Sequence, residues 1–164
     1  MSKKNGTSKS HGILLDSTYL LPVFGVQVKG VSSEDLLRLR DLAINNRIKI
    51  HYSPISLVEV VSKIAREANK NRKAPGPREV EATIEIIEKP HYLHQVHPDP
   101  KAYALAYEIK LLGHKDIMDN LLYATATVNN LDFITMDYKL RDFIQRHKIQ
   151  GAKILTHKDL LKEY

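Results

Sequence analysis

The 164-residue chain predicts an α/β fold: a three-layer α/β/α sandwich with a mostly parallel central sheet. Two observations carry that expectation. Short apolar runs suited to buried strands alternate with amphipathic segments of helical period, the order that builds parallel sheets covered by helices on both faces. Two of the apolar runs, Gly12-Ile13-Leu14-Leu15-Asp16 and Phe133-Ile134-Thr135-Met136-Asp137, end in aspartate. In an open parallel sheet, ligands gather outside the carboxyl ends of the strands. The length suits one domain on the usual scale of roughly 100–200 residues. Residues 12–164 are read as that domain, and residues 1–11 as a disordered basic tail carrying Lys3, Lys4 and Lys9 with nothing to bury.

Residues 13–15 read as a fully buried strand by their apolar continuity. Ser32-Ser33-Glu34-Asp35 opens a helix in which Leu36, Leu39 and Ala43 recur at spacings of three and four, and Asn45-Asn46 closes it. Ile48 and Ile50 alternate with polar neighbours in a strand that ends before Pro54. A second helix is expected from Ser56 to about Lys70, with Val58, Val61 and Ala65 sharing a face. Lys73, Pro75, Gly76 and Pro77 mark a loop, residues 79–88 return to a helical pattern that Pro90 stops, and residues 92–96 suit a short strand. Pro98-Asp99-Pro100 opens a helix that runs through Leu105 and Ile109 to Leu112 and breaks at Gly113. Residues 116–130 form a further helix, 133–136 a strand, 139–148 a helix and 153–155 a last strand, after which Thr156 caps a terminal helix.

Composition narrows the chemistry. There is no cysteine, which excludes disulfide scaffolds, thiol catalysis and zinc-thiolate sites. No apolar run approaches the roughly 18 residues needed to span a bilayer, and the N-terminus lacks an apolar signal core, so the chain is read as cytoplasmic. The net charge is +6. A positive protein with one acidic pocket can attract a polyanion and still hold a cation.

The acidic pocket is proposed from Asp16, Glu59, Asp119 and Asp137, each near a strand end or a helix start. Carboxylate oxygens suit the hard cations Mg²⁺ or Mn²⁺. Each residue also has a plainer reading. Asp16 could begin a turn, although the apolar Tyr19-Leu20-Leu21 that follows argues that it is enclosed, and an enclosed carboxylate must be paired or bind metal. Ser56-x-x-Glu59 spells a capping box, in which Glu59 reaches back to the helix start. Asp116 and Asp119 share a helix face in a first turn, where acids favour the helix dipole. Asp137 could be the N-cap of the helix that follows it, and Thr135 shares its side of the strand.

Lys63, Arg66, Lys70, Arg72, Lys73 and Arg78 make a basic stretch, either a solvated helix end or an arm that contacts a nucleic-acid backbone. His91, His94 and His97 recur every third residue, but Pro90 and Pro98 bound the segment and argue against one helical face.

Four segments together resemble the PIN-domain family of metal-dependent ribonucleases, including its VapC-like members. They are Ile13-Leu14-Leu15-Asp16-Ser17-Thr18-Tyr19-Leu20-Leu21, Ile55-Ser56-Leu57-Val58-Glu59-Val60, Asp119-Asn120-Leu121-Leu122-Tyr123-Ala124-Thr125-Ala126 and Phe133-Ile134-Thr135-Met136-Asp137. The resemblance implies that Asp16, Asp119 and Asp137 are the principal metal ligands and that Glu59 completes the pocket. Ser17, Asp116 and Thr135 are expected to support the ligands. The implied activity is hydrolysis of single-stranded RNA by metal-activated water, in a housekeeping nuclease or in the toxin of a toxin–antitoxin pair. Implied partners are RNA, an antitoxin protein and a second copy of the chain. Two other functions compete. A PIN-like RNA-binding or scaffold protein that has lost catalysis sits poorly with four retained acids. A phosphatase with an aspartyl nucleophile generally needs a second Asp two residues after the first, where this chain has Thr18.

Overall fold

The computed structural model describes residues 11–71 and 75–164, and the side chains of all of these except 69–71. Five parallel strands form one sheet in the order β3-β2-β1-β4-β5. They are β1 (His11–Leu15), β2 (Ile48–Tyr52), β3 (Leu93–Gln95), β4 (Asp132–Ile134) and β5 (Ile154–Leu155). Leu14 of the central strand β1 lies opposite His51 of β2 on one side and Phe133 of β4 on the other. The chain fills the sheet outward from β1 to β3, then returns to the far side of β1 for β4 and β5. The strand order therefore reverses between β1 and β4, and the crevice beyond their carboxyl ends is where open α/β sheets hold ligands. His11, assigned to the tail, instead begins β1, with its Nε2 at 2.7 Å from Asp132 Oδ2. The rest of that tail lies outside the described residues.

Alternation along the strands sorts the two faces of the sheet. Ile13, Leu15, Ile48, Ile50 and Ile134 face α1 (Ser33–Ile44) and α7 (His157–Leu161), whose Leu39, Ala43, Leu160 and Leu161 are buried against them. Leu14 and Phe133 face the opposite layer, made of α4 (Pro100–Leu111), α5 (Ile117–Val128) and α6 (Tyr138–Arg146). These are the three layers expected from the sequence. Helix α5 is mostly apolar, and its middle is enclosed on every side. Leu122, Tyr123, Ala124 and Ala126 have no exposed surface, and Ala102 and Ala106 of α4 pack on Leu121 and Ala124. The small side chains let α4 approach closely.

Helices α2 (Pro54–Asn71) and α3 (Pro77–Glu88) share a third cluster with Tyr52. Leu57, Val60, Ile64 and Ile87 bury there against Leu20, Leu21 and Phe24 from two short 3-10 turns, Ser17–Tyr19 and Leu21–Phe24. Among the described residues no helix is long and apolar enough to cross a membrane.

Three details depart from the sequence expectations. Helix α2 starts at Pro54 rather than Ser56. Proline at a first helical position forfeits no needed donor, and Ser53 Oγ accepts from the Ile55 amide at 3.4 Å. The buried stripe of α2 is Leu57, Val60 and Ile64, whereas Val58 and Val61 are exposed. Every one of these positions is aliphatic, so periodicity alone does not choose the inward face. Strand β4 ends at Ile134, short of the expected Met136, because Thr135 Oγ1 accepts from the Asp137 amide at 3.0 Å and turns the chain towards α6.

Gly151 passes α5 so closely that a Cβ there would lie 2.5 Å from Thr127 Oγ1 and 2.6 Å from Tyr123 Oη. Gly151→Ala is expected to destabilise the fold by about 1–3 kcal/mol, the usual cost of overpacking. The loss should appear as a lower urea midpoint at an unchanged slope. A variant as stable as the parent would show that this segment moves off α5 freely.

Candidate metal centre

Asp16 is the first residue beyond β1, and its amide still donates to Ile134 O of β4 at 3.0 Å. It is two residues after Leu14, so strand alternation turns its side chain to the face covered by α5. The carboxylate is buried, with the residue 5% exposed. Oδ1 accepts from Ser17 Oγ at 3.2 Å, and Oδ2 accepts from Thr135 Oγ1 at 2.9 Å. Thr135 is next to Asp16 because β1 and β4 run parallel in register, Leu15 opposite Ile134. Its hydroxyl links the two strand ends, donating to Asp16 while accepting from the Asp137 amide.

Asp119 enters from α5, in the first turn after the N-cap Asp116. Glu59 enters from α2. Oxygen atoms of Asp16, Glu59 and Asp119 all lie within 4.8 Å of one another. The Ser56 capping box does not form, since α2 begins before it, and Ser56 Oγ is buried without a partner. Glu59 is therefore not engaged at a helix start. Its Oε1 lies 2.6 Å from Lys63 Nζ, and its Oε2 is buried with no hydrogen-bond partner.

The other two acids stand at the margin as helix caps. Asp116 Oδ1 accepts from the amides of Met118 and Asp119. Asp137 Oδ1 accepts from the amides of Lys139 and Leu140. Asp137 lies outside the group whose oxygens converge within 4.8 Å, although its charge reaches Asp119. A cavity of about 590 Å³ opens on this side, bordered by Asp119 and Asp137 and lined by His114, Lys115, Lys139, Phe143 and Arg146.

Among the described side chains of the basic stretch, Lys63 and Arg66 are placed differently around this centre. Lys63 turns into it, donating to Ser17 Oγ at 3.0 Å. Arg66 is exposed, with Nε at 3.4 Å from its own helix at Ser62 O. The side chain of Lys70, and Arg72 and Lys73 entirely, lie outside the described residues. Lys63 has a sequence signal that the basic-run reading passes over: it follows Glu59 by four, the spacing of a helical ion pair. The cations of the cavity have no comparable signal, because Lys115 and Lys139 are far apart in the chain.

Crowded carboxylates resist ionisation. Burial pushes the Asp119 carboxyl up to about 8, with added repulsion from Asp116, Asp16, Glu59 and Asp137. Burial also raises Asp16, against the Thr135 hydrogen bond, with Glu59 adding repulsion and Lys63 partly relieving it. The donor set suits a hard divalent cation. It consists of carboxylate oxygens alone, with one buried oxygen, Glu59 Oε2, left unsatisfied.

The sequence model of the PIN domain matches residues 13–144. The chain belongs to the PIN domain family. A search of curated proteins finds no match. Among solved structures, the chain is similar to VapBC2 from Rickettsia felis bound to a DNA fragment from its promoter, at 16% identity and TM-score 0.61, covering 88% of this chain and 98% of that one. DNA-bound VapBC from Salmonella typhimurium is similar at 18% identity and TM-score 0.58, over 90% and 98% of the two chains. VapC20 from Mycobacterium tuberculosis, a Sarcin-Ricin loop cleaving toxin, is similar at 15% identity and TM-score 0.54, over 82% and 94%. At these identities the likeness is one of fold.

The raised Asp119 group ties stability to pH. The folded chain holds this proton up to about 8, whereas the unfolded chain releases it near the ordinary 3.8. The folded state therefore binds more protons across that window, and stability falls as pH rises through it. In metal-free protein the melting temperature is expected to drop between about pH 4 and about pH 8, and to drop less in Asp119→Asn. Equal slopes for the two proteins would contradict the repulsive cluster, and a large loss of stability in Asp119→Asn would mark the residue as structural.

Proposed function

We infer that the protein is an endoribonuclease that hydrolyses single-stranded RNA with a bound Mg²⁺ or Mn²⁺. The observation that carries this reading is the convergence of Asp16, Glu59 and Asp119 oxygens within 4.8 Å, together with a buried Glu59 Oε2 that has no hydrogen-bond partner. Membership of the PIN domain family supports it. So does the Sarcin-Ricin loop cleaving activity named for the similar VapC20 toxin. Asp16, Glu59 and Asp119 would hold the ion, with Asp137 reaching it through its uncapped oxygen or through water. When bound, a divalent cation supplies a Lewis acid for phosphate oxygens and acidifies water at the site.

The chain's own residues do the remaining work. Ser17 and Thr135 hold both oxygens of Asp16 in place, as outer partners do for metal ligands. Lys115, Lys139 and Arg146 border the adjoining cavity and would contact phosphates on the strand, a sequence-independent source of affinity. The net charge of +6 steers a polyanion towards the molecule. Arg66 would add to that positive surface, and Lys70, Arg72 and Lys73 remain candidates for RNA contact by their charge.

The physiological role we assign is that of a cytoplasmic toxin restrained by an antitoxin. Several similar structures are toxin–antitoxin complexes, including one from Klebsiella pneumoniae. A homodimer completes the proposal. Tyr103, Tyr107 and Leu111 are exposed on α4 at four-residue intervals, an apolar stripe suited to a second copy.

Labelled single-stranded RNA incubated with Mn²⁺, Mg²⁺ or EDTA tests the reading. Cleavage is expected with either ion and not in EDTA. Asp16→Asn should lower it by more than about 100-fold, since losing even an outer partner of a metal ligand costs about 10–100-fold. RNA binding should survive that substitution, because cations supply it. Cleavage undiminished in EDTA, or full activity of Asp16→Asn, would refute the mechanism.

A further inference from the structure

We propose that Lys63 is a resident cation of the carboxylate pocket and that it restricts the pocket to one divalent ion. The inference rests on the metal reading above and adds the residue that sets its stoichiometry. Acid–lysine pairs four residues apart are ordinary features of helix surfaces. This pair is different because its ammonium reaches inward. Lys63 Nζ lies 2.6 Å from Glu59 Oε1 and 3.0 Å from Ser17 Oγ, and Ser17 has no exposed surface. Ser17 in turn donates to Asp16 Oδ1 at 3.2 Å. The positive charge thus touches one converging acid directly and a second through a single hydroxyl.

The two oxygens of Glu59 are made unequal by this contact. Oε1 is occupied by the ammonium, and Oε2 is left buried without a partner. Lys63 acts as a positioning residue: it fixes the carboxylate and leaves one oxygen for a metal. Two-metal phosphodiester sites set their ions about 3.5–4 Å apart and need carboxylate oxygens for both. Here the oxygen a second ion would take already faces a positive charge at 2.6 Å. A dication at about 2.0–2.1 Å from that oxygen, the usual Mg²⁺ distance, would press against the ammonium.

Mn²⁺ titration of the intact, metal-stripped chain by isothermal calorimetry tests the inference, with Lys63→Met, Lys63→Gln and Lys63→Arg in parallel. Two neutral variants are used so that failure of one to fold leaves the other. One ion per chain is expected for the parent and for Lys63→Arg, and two for each folded neutral variant. Spin-coupled Mn²⁺ resonance in the neutral variants should place the two ions close together. One ion in the neutral variants, or two in the parent, would overturn the inference while leaving the metal reading intact. Absence of Mn²⁺ binding in every protein would overturn both.

Discussion

The carboxylate of Asp16 ends the central strand of the sheet and is closed over by α5. Removing an ionised group from water costs on the order of several kcal/mol unless it is paired and hydrogen-bonded. Asp16 is hydrogen-bonded, through Ser17 and Thr135, but neither partner brings charge. The neighbours that bring charge are mostly of the same sign: Glu59 and Asp119 converge on it, and among the described residues Lys63 opposes them. The fold therefore crowds carboxyl groups into a buried place and leaves them short of positive charge. A divalent cation removes that imbalance, and the unpartnered Glu59 Oε2 is where the shortage is most visible.

The topology explains why these residues meet. Asp16 lies at the reversal of strand order between β1 and β4, where open α/β sheets leave a crevice beyond the strand ends. Each converging acid comes from a different element, β1, α2 or α5, so none of their encounters is local. Helix α5 can bring Asp119 this close because its middle is buried between the sheet and α4. The caps serve the same end. Asp116 and Asp137 start α5 and α6 and set where Asp119 and the Lys139 side of the cavity stand.

Much of this was legible from residues alone. The strand preceding Asp16 is a short apolar run that fits no other element. The helix bearing Asp119 declares itself by its length and by the acids of its first turn. The α/β/α architecture follows from their alternation. The start of α2 was not legible, because Ser53-Pro54 and Ser56-x-x-Glu59 are both sound opening signals and only packing selects the first. The inward face of α2 was not legible either, since Leu57, Val58, Val60 and Val61 offer two candidate stripes. The two 3-10 turns after Asp16 are stabilised by burial of Tyr19, Leu21 and Phe24 rather than by any local pattern. Lys63 read as one member of a basic run, because charge counts carry no direction and its inward turn depends on Ser17, 46 positions away.

The central claim is that the converging carboxylates are a metal site and not a cluster of helix-end acids. Crystals grown or soaked with Mn²⁺ and measured for anomalous scattering address it directly. The account predicts a single strong peak within coordinating distance of Asp16, Glu59 and Asp119, with Lys63 still paired to Glu59. A peak confined to Asp116 and Asp137, or no peak in crystals whose Asp16 pocket is open to the soak, would contradict it.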